Sequence, residues 1–149
     1  WNHAQIGIEN RAIVQEWKFV EELLIDANQK ISFVHYGYDE EMNWFKNYVK
    51  KPDQESMDEL FLGMDSQIVF YGHHHEASDI TGHARYINLG SAGCYSKPEV
   101  RLGILYLEEG KVVLKKISEP YDDEGLMEDF ELRKVPARSF ITKHFITRP

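Results

Sequence analysis

The stretch Ile68-Val69-Phe70-Tyr71-Gly72-His73-His74-His75 constrains this chain more than any other. Four consecutive apolar or aromatic residues that stop at a turn signal read as a buried strand. Gly72 lets the backbone turn sharply or pass close to a bulky neighbour. Three imidazoles then stand at the carboxyl end of that strand, the edge at which open α/β sheets place their ligands. Neutral imidazole is the commonest protein ligand for a transition metal. His73 and His75, two positions apart, can approach one site, whereas His74 points elsewhere. A His-rich polar surface loop is the plainer reading, and the buried strand directly before the histidines weighs against it.

The rest of the chain fits an α/β sandwich with antiparallel edges. Ile6, Ile13, Trp17, Val20 and Leu24 recur at three-to-four spacing and predict an amphipathic helix from Ala4 to Leu24. Ile31 to His35 reads as a second buried strand. Asp39 to Lys51 reads as helical or loop-like, with Met42, Phe45 and Val49 as a buried stripe, and Pro52 stops it. A short helix is expected from Gln54 to Leu62. After the strand Gln67–Tyr71 come a turn at Thr81-Gly82 and a short strand from Arg85 to Ile87. Gly103–Leu107 and Val112–Ile117 make a hairpin around Glu109-Gly110. Asp122 to Lys134 reads as a helix with Asp122 as N-cap, Pro136 beyond it, and Leu126, Phe130 and Val135 turned inward.

Composition sets the outer limits. With 149 residues, 42% hydrophobic and 13% aromatic, this is a globular chain of at most one domain. No apolar run approaches the roughly 20 residues of a membrane span, and no signal peptide is expected. Cys94 is the single cysteine, which forbids an internal disulfide and points to a reducing, cytoplasmic setting. A formal charge of −8 makes nucleic-acid binding unfavourable. It does not bar an anionic substrate, because bound divalent cations would invert the local sign. The start at Trp1 suggests a chain that begins inside a longer protein.

Three segments together resemble the calcineurin-like metallophosphoesterases, in particular their small bacterial phosphodiesterase branch. Gly72-His73-His74-His75 is similar to that family's Gly-His-Thr-His block, with His74 where Thr is usual. Ile31-Ser32-Phe33-Val34-His35-Tyr36-Gly37 resembles the strand ending in His that precedes the block. Tyr86-Ile87-Asn88-Leu89-Gly90-Ser91 resembles the Asn-Pro-Gly-Ser segment, with Leu89 in the proline's place. The hairpin that follows, and Tyr121-Asp122 before an acidic helix and a proline, agree with the same branch. The resemblance covers the second half of the family's pattern. It implies a metallophosphoesterase-type α/β sandwich, two packed mixed sheets flanked by helices. Residues 1–149 would be its C-terminal portion.

What the resemblance implies chemically is a pair of divalent transition metals (Mn, Fe, Ni or Zn) acting on a small phosphoester substrate. His35 and His73 match ligands of one metal, and His75 matches a ligand of the other. His74 either contacts substrate or fills space. Asn88, Gly90 and Ser91 would form a turn beneath the site, and Glu76 and Asp79 could orient imidazoles from behind. The family's Asp-x-His, Gly-Asp-x-x-Asp and Gly-Asn-His-Asp/Glu blocks have no counterpart here. Asn2-His3 is set aside, because Trp1 and Ala4 replace its neighbours and a helix begins at once. Catalytic residues are therefore expected upstream of Trp1. His3, His83 and His144 read as surface or packing residues, and Cys94 as a small buried one. A non-catalytic protein-binding scaffold on the same fold is the alternative. A single structural metal site would want more cysteines. Membrane association is not expected, and a homo-oligomer is left open.

Overall fold

Ile68–Phe70 forms the middle strand, β5, of a five-stranded sheet. The computed structural model describes residues 1–146. In chain order the earlier elements are α1 (Asn2–Gln5), α2 (Ile8–Gln15), β1 (Val20–Leu24), β2 (Lys30–Val34), β3 (Tyr38–Asp39), β4 (Trp44–Phe45) and α3 (Gln54–Leu60). The later ones are β6 (Ser78–Thr81), β7 (Arg85–Asn88), β8 (Glu99–Glu108), β9 (Lys111–Pro120), α4 (Leu126–Leu132) and α5 (Arg138–Phe145). The sheet order is β1-β2-β5-β7-β6. β2 and β7 run parallel to β5 on either side, and β1 and β6 are antiparallel edges. The α/β class and its antiparallel edges are those expected from the sequence.

The alternation of β5 divides the core. Val69, fully buried, and Tyr71 join Met57, Leu60 and Phe61 from α3 and its end, together with Tyr36 and Tyr86. Ile68 and Phe70 face the other way, onto Ile31, Ile87 and the inward side chains Leu105, Val112 and Leu114 of β8 and β9. Each fully buried side chain of this kind contributes about 1.5–3 kcal/mol. α3 begins where Asp53 and Ser56 cap one another. The Ser56 N–H donates to Asp53 Oδ1 at 2.9 Å, and the Asp53 N–H donates to Ser56 Oγ at 3.0 Å. β8 and β9 turn at Glu109-Gly110, both at positive φ, as a tight hairpin with right-handed strand twist requires.

The N-terminal expectation fails. Ala4 to Leu24 is not one helix: Ile6 is extended, Gly7 separates two short helices, and Val20–Leu24 pairs with β2 over five residues. No residue of α1 or α2 is buried, so the three-to-four spacing marks no packed face. The open edge of β2 outweighs the helical propensity of Glu21 to Leu24, a tertiary effect on a weak local preference. Asp39 to Lys51 contains the small β3–β4 hairpin and no helix. The expected helix at Asp122–Lys134 is confined to Leu126–Leu132. Asp122 does not cap it, because its Oδ1 accepts the Glu124 N–H inside the preceding loop. Leu126, Phe130 and Val135 are half-buried. β6 and α5 were not anticipated.

Asp79 on β6 stitches the sheet edge to the ribbon. It accepts both Arg85 Nε and Nη2, and Lys116 Nζ at 2.7 Å. The Arg85 contacts, and then Lys116, hold its carboxyl down at about 2. A depressed carboxylate stabilises the fold above its unfolded pKa and loses that contribution as pH falls through the folded value. After discounting for solvent screening this is about 1 kcal/mol. Urea unfolding of Asp79→Asn should therefore show a deficit of that size at pH 7. The gap to wild type should close between about pH 4 and pH 2, and a gap independent of pH would contradict the assignment.

Candidate functional site

Parallel pairing of β2 with β5 sets their carboxyl ends side by side. His35 leaves the first and Gly72-His73 the second. The Gly72 N–H donates to His35 O at 2.9 Å, extending the ladder by one step. A Cβ at Gly72 would stand 3.4 Å from His35 O and 3.5 Å from His35 Nδ1, in ordinary van der Waals contact with the neighbouring strand end. His73 then turns into the left-handed region at φ 67°. That conformation is uncommon outside glycine, although histidine adopts it more readily than most side chains.

The turn aims His73 at His35. Their Nδ1 and Nε2 atoms are 3.3 Å apart, with the rings at 86° to each other. Partial burial, and then the neighbouring His35, His74 and His75, push the pKa of His73 down, which leaves it neutral at pH 7. The separation also fits a shared cation. His73 Nδ1 and His35 Nε2 are the two atoms that would hold it. Of His35, His73 and His75, which the sequence places around one site, the first two meet in this way.

His74 and His75 diverge from that pair. His74 is buried, and its Nε2 lies on Val49 O; a carbonyl only accepts, so Nε2 carries the proton. Its Nδ1 is buried without a partner among the described residues. The ring packs 4.5 Å from Tyr48. His75 is exposed, with its ring 5.6 Å from Phe145 of α5. Its carbonyl is clamped by the Ser91 N–H at 3.1 Å and Arg101 Nη2 at 2.9 Å. Asn88, 2% exposed, ties the turn together from below: Nδ2 donates to His74 O at 2.8 Å, and Oδ1 accepts the Gly90 N–H at 2.7 Å. The four imidazoles line a cavity of about 940 Å³.

Other residues fall outside the expected roles. Asp79 does not orient an imidazole, since Arg85 and Lys116 occupy its oxygens, whereas Glu76 lines the cavity. His83 lies away from the cavity, with Nδ1 2.9 Å from Asp58, and His144 Nδ1 donates to Phe140 O at 2.9 Å. His3 is exposed on α1, and Cys94 is half-buried rather than buried. Among the described residues no group of three or more His, Cys, Asp or Glu side chains gathers around one point. No helix among them is long and apolar enough to cross a membrane. Tyr48, Lys50 and Phe145 also line the cavity, and no sequence signal pointed to them. Tyr48 and Lys50 lie off the stripe Met42, Phe45 and Val49 that was expected to be buried in their segment, and Phe145 lies in the unanticipated α5.

No family model matches the chain, and no curated protein matches it. Among solved structures, a hypothetical protein of Pyrococcus horikoshii is similar over 98% of this chain, with a TM-score of 0.71 and 14% identity. The chain spans 57% of that protein's length, and the likeness establishes a common fold. Vacuolar Protein Sorting 29 from Cryptosporidium parvum aligns with 70% of this chain and 58% of its own, at 17% identity and a TM-score of 0.37.

Proposed function

We propose that this chain is the C-terminal portion of a metallophosphoesterase domain, and that the complete protein hydrolyses phosphodiesters or phosphoanhydrides. The approach of His35 and His73 to 3.3 Å at the carboxyl ends of two parallel strands carries the reading. Two imidazoles would hold one borderline cation, and His75, which lines the same cavity, would be the donor toward a second. Mn, Fe, Ni or Zn bound there would supply positive charge and an acidified water. The chain's own part is to hold donors in place. His35 and His73 present neutral nitrogens, Asn88 and Arg101 fix the carbonyls of His74 and His75, and Lys50 adds a cation at the cavity wall. In hydrolysis a water oxygen bonds to phosphorus, and the ester P–O bond breaks with its electron pair leaving on the alcohol.

Glu76 lines the cavity but does not match the bridging position of the resembled family, so the carboxylates that bridge two cations would come from outside residues 1–149. Three neutral donors cannot offset the repulsion of two dications about 4 Å apart. Residues 1–149 alone should therefore hold at most one weakly bound metal and hydrolyse nothing. The complete protein should cleave bis-p-nitrophenyl phosphate with Mn or Ni and stop when a chelator is added. Undiminished turnover after chelation would sink the metal mechanism. A protein-binding scaffold is the second reading, favoured by the outward side chains Leu102, Ile104, Tyr106 and Val113 of the ribbon, all more than a third exposed. Metal bound without turnover of any phosphoester would decide for it.

A further inference from the structure

The histidine cavity has two aromatic walls that metal chemistry alone does not require. Tyr48 stands on one side, 57% exposed, in the segment between β4 and α3. A mobile loop would not hold a ring there, but this segment is pinned from beneath. The Val49 carbonyl receives His74 Nε2–H, and the Val49 N–H donates to Tyr36 Oη at 2.8 Å. Both anchors are buried, at 7% and 3% exposure. The His74 ring, tilted 36° against Tyr48, completes the support. Phe145, at the end of α5 and half-buried against His75, is a second ring on the cavity lining. The imidazoles and Lys50 line the same cavity.

An exposed ring held rigidly at the rim of a polar, cation-lined cavity is suited to a ligand that is anionic at one end and flat at the other. Aromatic faces reward planar partners, by about 0.5–1.5 kcal/mol beyond the area they cover. A site for inorganic phosphate or for small alkyl phosphates would gain nothing from them. We infer that the cavity selects phosphoesters carrying a planar aromatic ring, which packs on Tyr48 and Phe145 while the phosphoryl group faces the histidines. His74 is then a positioning residue, whose bond to the Val49 carbonyl sets the Tyr48 wall. This inference rests on the phosphoesterase reading.

The test compares diesters with one leaving group and different second substituents: phenyl, ethyl and thymidine 5′-yl p-nitrophenyl phosphate. In the complete protein with Mn, kcat/KM for the phenyl ester should exceed that for the ethyl ester. Tyr48→Ala and Phe145→Ala should each lower the phenyl-to-ethyl ratio about 3- to 10-fold, mainly through KM. Tyr48→Phe should restore the ratio, and Trp44→Ala, which removes an exposed ring outside the cavity, should leave it as in wild type. The thymidine ester separates a nucleobase from a simple aryl group: a larger loss with it than with the phenyl ester assigns the ring to a base. Equal KM losses on phenyl and ethyl esters place the p-nitrophenyl ring that both carry on the two side chains; losses confined to kcat, or no loss on any ester, overturn the proposal. If no ester is hydrolysed, the phosphoesterase reading fails, and binding of phenylphosphonate decides this one separately. Upfield ring-current shifts of its aryl protons, reduced in Tyr48→Ala, support the aromatic walls; binding no tighter than that of methylphosphonate refutes them.

Discussion

Alanine at His73 will weaken Mn binding by the complete protein more than about a hundredfold, with phosphodiester hydrolysis falling at least as far. Loss of a group that merely orients a metal ligand costs about 10- to 100-fold, and removal of a donor itself exceeds that range. His35→Ala should match it, because the two nitrogens lie 3.3 Å apart and would share one ion. His3→Ala, an exposed imidazole on α1, is the control and should change neither quantity. Calorimetric titration alongside turnover separates the effects. Metal affinity within tenfold of wild type in both single variants would remove His35 and His73 from the ligand set.

Aspartate at position 88 will lower stability at neutral pH by about 3 kcal/mol, a fall in Tm of about 6–12 °C for a chain of this size. The Asn88 amide donates to His74 O and lies 3.5 Å from Gly72 O, in a place that is 2% exposed. A carboxylate there would turn a negative oxygen toward two carbonyls, with its donor gone. Burial raises the pKa of such a carboxyl above its unfolded value of about 3.9. The variant is therefore least impaired at low pH, where the neutral acid can donate to His74 O. Its deficit grows as pH rises through the unfolded value toward the folded one. Denaturant unfolding of both proteins should show the gap widening by about 1 kcal/mol or more from pH 5 to pH 7.5. A constant gap would mean that the donor to His74 O contributes little.

The part of this molecule that can be read from sequence is the part whose burial is local. Ile68 to Tyr71 is apolar on both faces because α3 covers one and the ribbon the other. A strand between two layers announces itself without knowledge of its partners. The same holds for Ile31 to His35, and so the meeting of His35 with His73 follows once both are placed at strand ends. β1 is the opposite case. Val20-Glu21-Glu22-Leu23-Leu24 has helix-forming residues, and only its pairing with β2 makes it a strand. β6, Ser78 to Thr81, has two half-buried positions and is held by cross-strand partners and by Asp79, which no periodicity reveals. The walls of the cavity were hidden for a related reason: Tyr48 owes its place to a hydrogen bond between His74 and the Val49 carbonyl, 25 residues away.

The left-handed backbone at His73 sets two demands against each other at one residue. A side chain at φ 67° costs about 1–2 kcal/mol that glycine would not incur. A library of this chain sorted only for heat resistance should then enrich glycine at position 73, raising Tm by a few degrees while erasing the donor that faces His35. At Glu109 the same backbone serves only the turn of the ribbon, whereas at His73 it aims an imidazole at its neighbour.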